Sequence, residues 1–243
     1  MSSGARLAAT LSQLRRRWLG RVIVVDPRPV AAAAPYTYFL PSENELLALA
    51  PGDLVQVTLR SDPPGSRWDA ERLWFTVLTT DRDQLHAALE TAPDDLPQLR
   101  SGQRLTFPRG AVIDIVWRDD RVPRPPSAPP RRGYWARCLV DDCVLNGRSK
   151  VHYLYRETPD MAEPEDRYED SGWRLRGSDP AVADDERRGL APCYVALGAV
   201  LNRDDSWLPL IDAGIGSAFV RNARGGYDAV HGPDPIVPPN AQQ

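Results

Sequence analysis

The chain has 243 residues, 42% hydrophobic and 26% charged, with 24 prolines and a formal net charge of −3. That length suits one large domain or two ordinary ones, and the composition is globular apart from proline at about twice its usual share. Charge is unevenly spread: residues 1–121 carry 15 Arg against 15 Asp+Glu, 122–132 add three Arg, and 133–243 carry 12 basic and 18 acidic side chains. An acidic second half repels phosphate backbones, which argues against a nucleic-acid partner and favours encounter with a basic protein.

No apolar run approaches the roughly 18 residues that would make a membrane span, so no membrane partner is expected. Three cysteines, Cys138, Cys143 and Cys193, have no metal spacing. Their odd number points to reduced thiols and a cytoplasmic protein.

The first 25 residues hold five Arg and no acid, as a transit peptide would. Leu7, Leu11, Leu14 and Trp18 fall at helical spacing, and we read an amphipathic helix there. "RVIVV" (21–25), "DLVQVTLR" (53–60), "RLWFTVLTT" (72–80) and "AVIDIVW" (111–117) are β-branched and partly alternating, the pattern of strands. In the second of these, Val55, Val57 and Leu59 share one face. "PSENELLALAPGD" predicts a short helix capped by Ser42 and ended by Pro51-Gly52, and "DRDQLHAALE" (81–90) a further helical turn or two.

"RVPRPPSAPP" (121–130) has five prolines and no apolar periodicity, as expected of a stiff polyproline II spacer. The second half opens with two strands, "YWARCLV" (134–140) and "KVHYLYRE" (150–157), with a turn at Asn146-Gly147 between them. An acid-dense loop, 158–169, leads to "GWRLR", short enough for a third strand. "APCYVALGAVL" (191–201) reads as helix, "SWLPLID" as a short helical turn, "GSAFVRN" as a last strand and "GGYDAV" as a closing hairpin turn. Residues 232–243 read as a disordered tail. The expected architecture is α+β: two small domains, each a curled and mostly antiparallel sheet with a few short helices. Their bounds are 1–120 and 133–231, joined by a Pro/Arg-rich linker at 121–132.

Catalytic chemistry finds little support. His152 could reach Cys138 or Cys143 if the two strands paired as a hairpin, but a thiol in an apolar run is commonly inert. The carboxylates of 157–170 could form an acid/base pair or a metal site, yet they lack calcium-loop spacing, and such a run more often solvates a surface. No phosphate-binding glycine loop or nucleophile elbow occurs, so no catalytic residue, metal or cofactor is expected. Tyr153, Tyr155 and Trp173 suit facing strands of a core. Tyr, Trp and Arg are also the types enriched at protein–protein hot spots.

"CLVDDCVLNGRSKVHYLYRETPD", "DSGWRLRGSD" and "WLPLIDAGIGSAFVR", in that order, resemble the immunity protein 33 domain of bacterial polymorphic-toxin systems, over roughly 135–227. The specific pieces are 155–159, Asp170-Ser171-Gly172-Trp173-Arg174 and the late "IGSAFVR". The chain departs in Leu175, where an aromatic is usual, and in a longer acidic loop. "FLPSENELLALAPGDLVQVTLR", with the segments after it, is similar to an uncharacterised family of small β-rich domains that often accompanies the first.

The resemblance implies a non-enzymatic cytoplasmic inhibitor of a co-encoded toxin. The alternative is a regulatory or scaffold module with a non-toxin protein partner. For partner binding we single out Arg156, Glu157, Asp160, Glu163, Glu165, Asp166, Glu169, Asp170 and Arg174. Tyr155, Ser171, Gly172, Trp173 and Phe219 are expected to hold the fold.

Overall fold

The structure is a computed structural model that describes residues 20–64, 67–120, 130–161 and 165–231. The expected N-terminal helix, Glu163, most of the proline-rich segment and the tail lie outside the described residues. The architecture is α+β, and the chain divides into two compact units, Met1–Ala33 with Tyr38–Arg131, and Ala34–Thr37 with Arg132–Gln243. Residues 34–37, inside the expected first domain, thus belong to the second unit. The Tyr36 N–H donates to Asn202 Oδ1 at 2.9 Å, and the Tyr36 ring meets Tyr134 edge-on at 5.7 Å.

In the first unit, β1 (Arg21–Val24), β2 (Leu54–Asp62), β3 (Glu71–Asp81), β4 (Gln84–Leu89) and β5 (Arg104–Pro108) pair in that order. β6 (Val112–Val116) returns to pair with β2, which curls the sheet towards a barrel. Period-two patterning drives this: Val55, Val57 and Leu59 are fully buried while Gln56 and Thr58 alternate outward. Two short helices accompany the sheet, α1 (Arg28–Ala33) and α2 (Glu43–Leu47). Ser42 caps α2 in a reciprocal capping box with Glu45.

Residues 84–89, read from sequence as helical, are strand β4. Leu85, Ala87 and Leu89 are buried there at the alternate positions of a strand, while Leu85, Ala88 and Leu89 also fall at helical spacing, so both templates find matches in so short a window. Phe107, on a strand the sequence reading did not single out, meets Phe75 in the core at 5.2 Å.

The second unit holds β7 (Arg137–Val140), β8 (Tyr153–Arg156), β9 (Asp170–Arg176), β10 (Cys193–Ala196), β11 (Ser217–Arg221) and β12 (Tyr227–His231), in the order β10-β7-β9-β8-β11-β12. All neighbours are antiparallel except β7 and β9. β7 and β8 are therefore not a hairpin: α3 (Asp142–Leu145) turns the chain away, and β9 runs between them. α4 (Asp179–Arg187) and α5 (Leu197–Leu201) complete the unit. The stretch 191–201, expected to be helical throughout, is strand β10 followed by α5. Its first half pairs with β7 and its second half buries Leu197, Val200 and Leu201. Trp173, Trp207, Leu154, Leu175 and Cys138 form the centre of this core.

Candidate functional site

The sequence Asp170-Ser171-Gly172-Trp173-Arg174 opens β9, the strand buried along nearly its whole length. Its register against β7 is irregular: Arg137 pairs with Asp170, yet Leu139 pairs with Arg174, so β9 bulges by two residues. Short polar side chains hold this bulge. Asp170 Oδ1 accepts from the Gly172 N–H at 3.0 Å, and Ser171 Oγ accepts from the Trp173 N–H while donating to the Arg137 carbonyl at 2.6 Å. Gly172 has φ +75°, and a Cβ there would lie 2.1 Å from the Glu157 carbonyl oxygen. Only glycine lets β8 and β9 close at this point, where the Glu157 N–H donates to the Gly172 carbonyl at 2.9 Å.

The bulge aims Trp173 and Arg174 in different directions. Trp173 is fully buried, its indole N–H donating to the Ile211 carbonyl at 3.1 Å and its ring 6.0 Å from that of Trp207. Arg174 is only 3% exposed. It grips Asp170 with two parallel bonds of 3.0 and 2.9 Å, Asp160 at 2.9 Å and the Trp173 carbonyl at 3.3 Å, and its Nε–H donates to Glu157. All five guanidinium hydrogens have an acceptor within reach, as a buried cation requires. Burial opposes the Arg174 charge, but hydrogen bonds to Asp170 and Glu157 raise its pKa above the ordinary value. Burial likewise pushes Asp170 up, and bonds from Arg174 and the Gly172 N–H outweigh it, leaving the carboxyl below its usual range.

Asp170 and Arg174, expected on a partner-binding surface, are thus interior, and the bidentate pair is the reason. Arg156 is half-buried. It donates to the Ser171 carbonyl at 2.9 Å and the Ala213 carbonyl at 2.8 Å, and it covers the Trp173 ring. Glu157 and Asp160 bridge inside and outside: their side chains are 35% and 72% exposed while both reach Arg174. Glu165, Asp166 and Glu169 are exposed on the segment that leads into β9. Tyr155 is half-buried beside Tyr153, its phenol raised by burial and then by Glu157. Phe219 pairs with Leu154 across β11 and β8 and packs on the core.

Two features escaped the sequence reading. One is a polar network in which buried Asp204 accepts from the Val151 N–H at 2.8 Å and from Ser206, with Arg221 and Tyr227 closing the ring. The other is a stack of Trp135 on Tyr168 at 5.9 Å. Neither has a local signal, because each joins residues from separate segments.

Beside the motif lies a cleft of about 370 Å³ lined by Arg132, Tyr134, Arg156, Ser171, Trp173 and Asp212. Arg132 is already matched there, donating to Asp212 at 2.7 Å. The Cys138 thiol is pushed far up by burial, and that of Cys143 to about 12 by burial and Asp185. Cys138 on β7 is separated from His152 by β9. Among the described residues, no group of three or more His, Cys, Asp or Glu is placed to hold a metal ion, and no helix is long and apolar enough to cross a membrane.

Residues 138–231 match the family model of the Immunity protein Imm33 domain. All of these residues belong to the second unit, and the matched range holds the Asp170–Arg174 bulge. No curated protein and no solved structure matches the chain.

Proposed function

We propose that this protein is a non-enzymatic immunity protein that neutralises a co-encoded toxin by direct binding in the cytoplasm, with the exposed carboxylates of 157–160 and 165–169 in its second unit facing a basic toxin surface. The observation that carries the proposal is the division of labour around Arg174. Buried Asp170 and Arg174 brace the sheet at the bulge, while Asp160, Glu165, Asp166 and Glu169 are exposed on one connection. Held at its base by Asp170, which accepts the N–H groups of Asp160 and Met161 at 3.2 Å, that connection presents negative charge from a fixed platform. A basic partner is then steered electrostatically and released slowly once docked.

Growth provides the first test: cells making the toxin encoded beside this protein's gene should survive only when this protein is co-expressed. Association kinetics provide the second. Glu165→Gln, Asp166→Asn and Glu169→Gln together should slow the on-rate several-fold at low salt. The difference should vanish as salt shortens the Debye length from about 10 Å at 0.1 M to about 3 Å at 1 M. Equal on-rates at low salt would remove the acidic segment from the interface.

A further inference from the structure

Between α4 and the sheet of the second unit runs another cleft, of about 440 Å³, within the span of volumes that hold ligands. Its floor is one cross-strand row, in which Tyr153 on β8 lies opposite Arg176 on β9 and Val220 on β11. Its wall is one stripe of α4: Asp179, Val182, Ala183 and Glu186 recur at the i, i+3, i+4, i+7 spacing of a helix face. From Tyr153 in this floor to Glu157 beside the bulge is about 13 Å of extended chain.

Charge on α4 is matched away from the cleft and unmatched inside it. Asp184 meets Arg148 at 3.0 Å, Arg187 at 3.2 Å and Arg188 at 3.5 Å. Asp185 meets Arg148 and accepts the Cys143 N–H at 2.8 Å. Asp179 and Glu186 are exposed and have no ion pair among the described residues. The arginine of the floor, Arg176, is held by buried Asp141 at 2.7 Å. Glu186 also lies in the last turn of α4, where the macrodipole disfavours a negative charge.

We infer that this cleft is a docking site for a basic segment of a protein partner. Lysine or arginine stems would lie on Tyr153, Val182 and Val220, and their charged ends would reach Asp179 and Glu186. Charge complementarity selects the occupant. An apolar segment would cover the floor but strand two carboxylates, and an acidic one would be repelled by them. Long cationic side chains join an apolar stem to a charged end, which is the pattern of this lining. Asp179 and Glu186 lie two helical turns, about 10 Å, apart, so the fitting segment carries two cations at about that separation. The inference deepens the proposed function by adding a second contact for a basic toxin, and it rests on that reading only for the identity of the partner.

The test uses the full chain and three capped peptides, Lys-Gly-Gly-Lys, Arg-Gly-Gly-Arg and Gln-Gly-Gly-Gln, titrated by NMR at low salt. Both cationic peptides should shift the amides of Val182, Ala183 and Val220, and the glutamine peptide should not. Glu186→Gln, which relieves the last turn of α4, should weaken the cationic peptides about two- to fivefold, the upper figure being equivalent to about 1 kcal/mol. Ala183→Leu keeps every charge and a good helix former while filling the cleft, and should weaken them at least as much. Glu165→Gln, Asp166→Asn and Glu169→Gln together should leave them within about twofold of wild type. Cationic peptides indifferent to Ala183→Leu, or weakened as much by the triple variant as by Glu186→Gln, would overturn the docking site and leave only diffuse charge. A glutamine peptide that binds equally well would overturn the basic occupant. If the peptide results hold while the co-encoded toxin fails to bind, the cleft stands and the immunity reading falls. Toxin binding unchanged by Ala183→Leu and Glu186→Gln gives the converse.

Discussion

Replacing Arg174 by Met keeps an unbranched stem as far as the position of Nε and removes every hydrogen of the guanidinium. The exposed acceptors, Glu157 and Asp160, regain water at little cost. Asp170 does not, since its residue is 3% exposed. It would keep only the N–H groups of Gly172 at 3.0 Å and of Asp160 and Met161 at 3.2 Å. A buried carboxylate stripped of its counter-ion costs about 3–5 kcal/mol, a large part of a typical domain's stability. Asp170→Asn keeps the shape and loses the charge, while Arg174 retains Glu157 and Asp160; about 1–3 kcal/mol is expected. The double variant should cost less than the two singles together, because neither partner is then stranded, with a coupling of about 0.5–3 kcal/mol. Urea denaturation of the four proteins measures all these quantities. An Arg174→Met protein within about 1 kcal/mol of wild type, or strictly additive singles, would refute the interior ion pair as the brace of this bulge.

Gly172→Ala should destabilise by more than about 2 kcal/mol, since a left-handed residue with a side chain costs about 1–2 kcal/mol and its Cβ also collides with the Glu157 carbonyl. Hydrogen exchange should show the β8–β9 amides opening first; unchanged protection there would contradict the close approach. Stability should also fall in acid. Asp170 and Asp185 have folded pKa values below the ordinary 3.8, because Arg174 and Arg148 respectively outweigh burial. Their contribution is therefore full above that value and is lost as pH falls through the depressed one. Melting curves from pH 7 to pH 2 should steepen below about pH 4, less so in Asp170→Asn; parallel curves would dismiss Asp170 as a contributor.

Much of both units was legible in the sequence because the signals are local. The alternation of Val55, Val57 and Leu59, the Ser42–Glu45 capping box and the strand after Gly172 each need only a few consecutive residues, and each appears where its pattern lies. The Imm33 resemblance likewise rests on short ordered motifs, and the matched range, 138–231, contains all of them. What sequence could not decide was pairing across distance. Residues 84–89 carry apolar positions compatible with helix or strand, and only β3 and β5 on either side made them a strand. The two strands flanking Asn146-Gly147 look like a hairpin, yet β9 takes the place between them, since a buried central strand must be covered on both edges. The same holds at the site. Asp170 and Arg174 read as surface charges because ionic residues usually are, and only tertiary structure brings them together with Glu157 and Asp160 so that one guanidinium can be buried. Sequence determined which residues form strands and motifs; the non-local contacts decided which charges face inward and which remain for a partner.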